Sequence, residues 1–300
     1  MSLKTIGELV ATELNGKVRN YTWRKTPSAV NTSSIWFDLS MSPGMPTPKY
    51  WFDAAPLEAK AIYQSTDGGF YHGPNVSPSN KYLRSITTQA LTASTTQSMP
   101  CNAILCDYLL YYPSIDDGTT DPQIMDNSVT LPRYTNGSGV QMIAVTTGAR
   151  TGGQKFTVSY TNQDGVSGRT TPVITQNSYS ALGTITSHNN GGVLAINGPG
   201  PFLPLQSGDS GVRSIESVTM LGVDVGLFSI ILVKPLCQTT FRESVTATAG
   251  TIAVPYEKDF LFHSITLPQI YDDAFLNFLV LPNGSLASYV LTGNLKVIWD

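Results

Sequence analysis

The sequence predicts a mainly β protein: an antiparallel β-sandwich body, jelly-roll-like or immunoglobulin-like, preceded by a short N-terminal helix and an extended proline-rich arm. Three observations predict it. From about residue 141 onward, short runs of alternating apolar and polar residues are separated by turn signals. Charged residues make up 13% of the 300-residue chain, roughly half the share usual in globular proteins. The polar surface must therefore come from Ser, Thr, Asn, Gln and Gly, as on the outer faces of sheets or where neighbours cover a subunit. Helical periods are few and short, the clearest cappable one lying in the first residues.

That helix is expected from Ile6, Leu9, Val10 and Leu14, with Thr5 or Ser2 placed to cap it and Gly16 just past its end. Its apolar stripe must face the body or a neighbour. Residues 21–23 and 35–39 read as extended. Residues 42–48 hold three prolines, which remove donors and fix φ, so they read as a stiff extended segment. Such a segment is a loop, or an arm lying on another subunit. Tyr50, Trp51 and Phe52 follow directly and need a surface to cover.

Residues 54–63 are expected to form a second short helix, with Pro56 in its first turn. Residues 68–79 are turn-rich, 82–91 read as a strand, and 92–97 as a polar loop or edge strand. Residues 103–112 form a dense apolar block compatible with either a helix or a buried strand. Pro113 is expected to end it, and an acidic loop with Asp116, Asp117 and Asp121 follows.

Residues 141–147 form the first clean strand of the β region. Residues 155–161 put Phe156, Val158 and Tyr160 on one face, and residues 162–165 turn the chain into 169–175 as a hairpin. Further strands are expected at 214–221, 226–233 and 251–256. Residues 274–281 and 286–291 are expected to pair as a hairpin across the Asn283-Gly284 turn, with a terminal strand at 295–299. The organisation is read as a helix and arm over 1–48, a mixed helix-containing β region over 49–140 and a β-sandwich region over 141–300, the last two able to form one domain. No fixed-period repeat is present.

The net charge is -3 and there is no basic tract, so binding driven by phosphate neutralisation is not expected. Residues 3–14 lack the apolar segment of a signal peptide, and the apolar stretch 223–233 is too short to span a bilayer as a helix. Cys101, Cys106 and Cys237 fit neither a disulfide framework nor zinc spacing and read as small apolar residues.

Gly208-Asp209-Ser210-Gly211 matches the core of the nucleophile loop of trypsin-like proteases. That chemistry needs a histidine base and an aspartate orienter beside the serine. The histidines are His72, His188 and His263, and none has the sequence context such an enzyme uses. A tight turn is the expectation, and Ser210 carries the hydrolase alternative. The acidic loop, with Asp126 nearby, lacks the spacing of a calcium loop and reads as solvated. The three histidines share no helix face. Gly191-Gly192 and residues 198–201 match no nucleotide fingerprint. Asp272 and Asp273 are adjacent, so on a strand they would point to opposite faces rather than flank one bond. Glycosylation triplets at Asn31, Asn75, Asn136 and Asn283 are expected by chance in a chain this rich in Ser and Thr. No catalytic, cofactor-binding or metal-ligating residue is assigned, and no cofactor is expected.

Several phrases resemble virion structural proteins of tailed bacteriophages: residues 107–113 (DYLLYYP), 159–166 (SYTNQDGV), 208–215 (GDSGVRSI) and 281–286 (LPNGSL). The resemblance is spread over roughly residues 35–300 and carries no motif of chemical meaning. It implies a head-associated minor capsid or decoration protein, a homo-oligomer contacting other capsid or tail subunits, located in the virion after synthesis in the host cytoplasm. The other reading is a tail-associated or receptor-binding protein whose exposed aromatics, Trp51, Tyr71 and Tyr82, stack on glycans. The layout also predicts that removing residues 1–48 leaves a folded body with weakened assembly.

Overall fold

The computed structural model describes residues 3, 5–28, 33–92, 99–151, 153–176, 181–186, 200–245, 255–264, 266–287 and 289–300. Ser2, most of the polar run 92–97, His188, Asn31, most of the glycine-rich positions and the start of the 251–256 strand lie outside them.

The chain runs through helix α1 (Ile6–Leu14), strand β1 (Val18–Lys25), the two-residue β2 (Phe37–Asp38), a 3-10 turn over Leu39–Met41, and the short β3 (Gly44–Met45) and β4 (Lys60–Ala61). Helix α2 (Gln64–Asp67) precedes the long β5 (Lys81–Thr92) and β6 (Cys101–Asp116). Then come β7 (Gln123–Ile124), β8 (Gln141–Gly148), β9 (Lys155–Asn162), β10 (Arg169–Thr170) and β11 (Ile174–Thr175). β12 (Val212–Met220), β13 (Leu227–Phe241), β14 (Glu243–Val245) and β15 (Tyr256–Asp259) follow. Helix α3 (Phe260–His263), β16 (Gln269–Ile270), β17 (Phe275–Leu281) and β18 (Tyr289–Trp299) complete the order.

These strands build three sheets. The first has the order β14-β5-β18-β1-β3, with β15 and β16 also on β5. The central sheet has the order β2-β17-β6-β13-β8, with β4 on β6. The third has the order β10-β9-β12-β7, with β11 on β9. Pairing is antiparallel except between β14 and β5. The body is therefore a β-sandwich, as the composition and alternation predict, with the central sheet as its shared layer.

β6 and β13 explain the arrangement. They pair from Leu227 opposite Asp116 to Phe241 opposite Cys101. At the Cys101 end, Ala103, Leu105 and Phe241 pack with Trp23, Leu83 and Leu295 of the first sheet. At the other end, Tyr112, Phe228 and Ile230 pack with Phe156, Val158 and Ile215 of the third. The opposite face of β6 and β13, with Cys106, Tyr108 and Ile231, is covered by Trp36, Met41, Trp51 and Ile62. Burial on both faces erases the alternation that marks a one-sided strand. That is why 103–112 is a strand although its pattern also fits a helix. Pro113 does not end it: the strand continues to Asp116 through a register shift where Ser114 takes φ +61. Proline is tolerated at such bulges.

Three further expectations are corrected. Residues 54–63 form no helix; Leu57 turns with φ +62, and Lys60–Ala61 pairs with Tyr111 and Leu110 of β6. Fully buried Ala59 and Ile62 make this segment part of the core. The arms of the Asn283-Gly284 turn do not pair. β17 joins β6 in the central sheet while β18 joins β5 and β1 in the first, so the turn carries the chain between layers. The third concerns residues 1–48. Trp23 is 3% exposed within the first core, and Lys25 is wholly buried. The Lys25 ammonium donates to the carbonyls of Ser42 at 3.0 Å and Pro46 at 2.9 Å. The proline-rich segment is extended as expected, and it is wrapped around this lysine of its own chain. Removing residues 1–48 would strip β1 and β3 from the first sheet and β2 from the central one.

The 155–175 hairpin is observed. β9 shows the expected burial of Phe156, Val158 and Tyr160, and β10 and β11 return against it. Helix α1 is also observed, closed by a capping box: the Thr5 hydroxyl accepts from the Glu8 amide at 3.2 Å, and the Glu8 carboxylate from the Thr5 amide at 2.9 Å. Among the described residues, no helix is long and apolar enough to cross a membrane.

Candidate functional site

The Gly208-Asp209-Ser210-Gly211 string is a turn between structural anchors. The Asp209 side chain is 3% exposed. It accepts from the Tyr160 hydroxyl at 2.6 Å, Asn162 Nδ2 at 2.8 Å and Arg169 Nε at 2.9 Å. Burial would raise its pKa, but the hydrogen bonds from Arg169, Tyr160 and Asn162 outweigh it and hold the carboxyl below its ordinary value. The amides of Ser210 and Gly211 both donate to Gln163 Oε1, at 3.0 and 3.1 Å. Gly208 sits at φ +92, where glycine is the natural residue.

Neither described histidine approaches Ser210. His72 is buried against the carbonyl of Ala274 at 2.9 Å and the Lys81 amine at 3.2 Å. Burial and the Lys81 charge push its pKa down to about 4. His263 is bound to the carbonyl of Asp259, one turn back. Among the described residues, Ser210 thus has neither base nor orienter, and the geometry needed for acyl transfer is not assembled.

The acidic loop is not uniformly solvated. Asp117 is wholly buried, 3.9 Å from Arg150 Nε, and accepts from Gln176 Nε2 at 2.8 Å. Among the described residues, no group of three or more His, Cys, Asp or Glu is placed to hold a metal ion. Asp272 pairs with Lys81 at 3.2 Å, whereas Asp273, at φ +60, accepts from Ser65. The three cysteines are free; Cys101 and Cys106 are buried and Cys237 partly so.

The aromatic residues divide unexpectedly. Trp51 is fully buried, stacked 5.6 Å from Tyr108, and its indole donates to Asp38 at 2.6 Å. Tyr82 is 9% exposed. Only Tyr71, half exposed, remains available of the three expected to stack on a ligand. The signal that Trp51 is internal lies in Asp38, thirteen residues earlier, which also accepts from Ser40 and Tyr108.

Exposed aliphatic side chains are grouped at two places, on α1 and between β12 and β13. On α1, Leu9 packs inward while Ile6, Val10 and Leu14 are 65%, 50% and 83% exposed. Between β12 and β13, Leu221, Val223 and Val225 are 54%, 63% and 70% exposed. That loop is pinned. The Asp224 amide donates to the Asp117 carbonyl at 2.8 Å, the Asp117 amide to the Gly226 carbonyl at 3.1 Å, and Thr151 to the Asp224 carboxylate. The sequence does show this loop, as alternating aliphatics bracketed by Gly222 and Gly226, but the stretch 223–233 reads there as one greasy run.

No protein-family model and no curated protein matches the chain. Solved structures similar to it include a mutant VP2 protein of infectious bursal disease virus in derived T=1 particles. It shares 8% identity over 99% of this chain and 84% of that one, with a TM-score of 0.21. A VP2 subviral particle of the same virus shares 11% identity over 94% of this chain and 80% of that one, with a TM-score of 0.19. Superpositions this poor carry no argument.

Proposed function

We propose that the chain is a structural component of a bacteriophage virion, a head-associated minor capsid or decoration protein that performs no catalysis. It would associate with copies of itself and with other virion subunits through neutral-polar and apolar surface. The observation that supports this is the outward display of aliphatic side chains on α1 and on the hydrogen-bonded loop 221–226. Flexible exposed side chains would be unremarkable, whereas Leu221, Val223 and Val225 are held outward by hydrogen bonds on both sides of Asp224. Ordered apolar patches of this kind mark interaction surfaces. Low charge fits the same role, because neutral polar groups are cheaper to desolvate.

The test is the solution mass of the full chain by light scattering after size-exclusion chromatography, with the Val223→Asp/Val225→Asp variant alongside. A closed oligomer that the variant disperses without unfolding is expected. A wild-type monomer that also fails to sediment with capsids assembled from its neighbouring genes' products would overturn the proposal.

A further inference from the structure

Two clefts meet at Lys234. One, of about 360 Å³, lies between β13 and the α3–β16 segment; the other, of about 570 Å³, opens over the turn at residues 132–138. Tyr134, Lys234 and Tyr271 line both, and no described lining residue of either is acidic. We propose that this double cleft binds a saccharide carrying carboxylate groups, of the uronic- or sialic-acid type.

The cations are positioned and unpaired. Lys234 Nζ donates to the Ser138 carbonyl at 2.8 Å and stands 5.4 Å from the centre of the Tyr134 ring. Lys258 Nζ donates to the Gln238 carbonyl at 2.9 Å and stands 5.7 Å from the Phe260 ring. Neither meets a carboxylate among the described residues. An ammonium has three donors, so each retains two for a ligand. The Lys234 amine lies close over Gly139, which sits at φ +67. Tyr134 adopts φ +50, uncommon for a bulky residue. Its ring meets that of Tyr271 edge-to-face at 4.8 Å, and Tyr271 is 37% exposed. Aromatic faces suit the apolar face of a sugar ring. Ser264, Thr266 and Gln269 supply neutral hydrogen-bonding groups along the same wall for its hydroxyls.

The other anionic occupants fit less well. Beyond Val233, β13 has lost its β8 neighbour, so an acidic peptide strand would have an edge to join. That edge is blunted: Pro235 has no amide proton, the register shifts between Pro235 and Cys237, and Lys258 covers the Gln238 carbonyl. Nucleic acid would need a track of many cations, and the cleft offers two unpaired ones. A ligand with one or two carboxylates on a ring matches both the number of charges and the tyrosines. This inference does not depend on the virion reading.

The test is saturation-transfer NMR and titration of the full chain with sialyllactose and with oligogalacturonate, against neutral lactose. Acidic saccharides are expected to bind and lactose not. Lys234→Gln should weaken binding about tenfold, the scale of one charge-assisted hydrogen bond, and Tyr271→Ala should weaken it by about fivefold to tenfold, the scale of one lost aromatic stacking face. Lys17→Gln, on an exposed position away from the cleft, should not. Lys258→Gln serves as the second surface variant if Tyr271→Ala fails to fold by circular dichroism. The proposal is overturned if neither acidic saccharide binds, if lactose binds equally, or if Lys234→Gln and Lys258→Gln both bind as wild type. Tighter binding of an acidic peptide or a single-stranded oligonucleotide would also overturn it.

Discussion

Replacing Arg133 with Met should destabilise the protein by about 3–5 kcal/mol. Arg133 and Asp107 are 6% and 1% exposed. Two parallel bonds join them: Nε to Oδ2 at 2.9 Å and Nη2 to Oδ1 at 2.8 Å. Nη2 also donates to the carbonyls of Tyr108 at 2.9 Å and Ile62 at 3.1 Å, tying β6 to the segment after β4. Methionine keeps most of the stem's packing, so the loss falls on the polar groups. A carboxylate and two carbonyls are left buried without this donor, and an unpaired buried charge is the costly part of a broken ion pair. Burial already pushes the Asp107 carboxyl above its usual range, with Arg133 pulling it back. The Asp107→Leu/Arg133→Met double variant removes both charges and should recover most of the loss, to within about 2 kcal/mol of wild type. Urea denaturation followed by tryptophan fluorescence reads all four corners of the cycle. A single variant losing under about 1 kcal/mol would refute the reasoning, as would a double variant no more stable than Arg133→Met, because both require the pair to be coupled.

Burial holds Lys25 down to about 8 from 10.5. Between those values the unfolded chain binds more protons than the folded one, so stability rises with pH in that window. The wild-type stability minus that of Lys25→Met should be flat below pH 8, then climb by about 1 kcal/mol per pH unit toward pH 10; a difference that falls instead sinks the assignment. Asp209→Ala, which strands Tyr160, Asn162 and Arg169, should cost about 2–4 kcal/mol, whereas Ser210→Ala should change stability by less than about 0.5 kcal/mol. Thermal melts of the two variants decide this, and the reverse order would make Ser210 the important residue of that turn. Deleting residues 1–14 should leave the melting transition cooperative while lowering the solution mass, since Ile6, Val10 and Leu14 face outward. Deleting residues 1–48 should abolish the transition, because Trp23 leaves the core; a cooperative melt for that chain would contradict the sheet order.

What local sequence reveals depends on how many faces of an element are buried. β9 is legible because one face packs and the other is wet, so Phe156, Val158 and Tyr160 alternate with Thr157, Ser159 and Thr161. β6 is not, because Leu105 meets the first sheet while Cys106 meets the layer containing Trp51. The Asn283-Gly284 turn is legible as a turn, but nothing in its four residues states which sheet each arm will join. Trp51 looks like a surface aromatic until Asp38 is seen to accept its indole proton.

The same limit applies to charge. The count of 18 Lys and Arg against 21 Asp and Glu shows no basic tract, and that expectation concerned runs along the chain. Electrostatic surfaces depend on which cations remain after the fold has paired the others. Arg133 is engaged by Asp107, Arg169 by Asp209 and Arg84 by Asp259. Lys234 and Lys258, twenty-four positions apart and on β13 and β15, are held on neutral carbonyls and line one cleft. A two-lysine site can therefore stand on a chain of net negative charge. Its strength should fall with salt, because both amines open to solvent, whereas the enclosed Arg133–Asp107 pair should be much less sensitive to it.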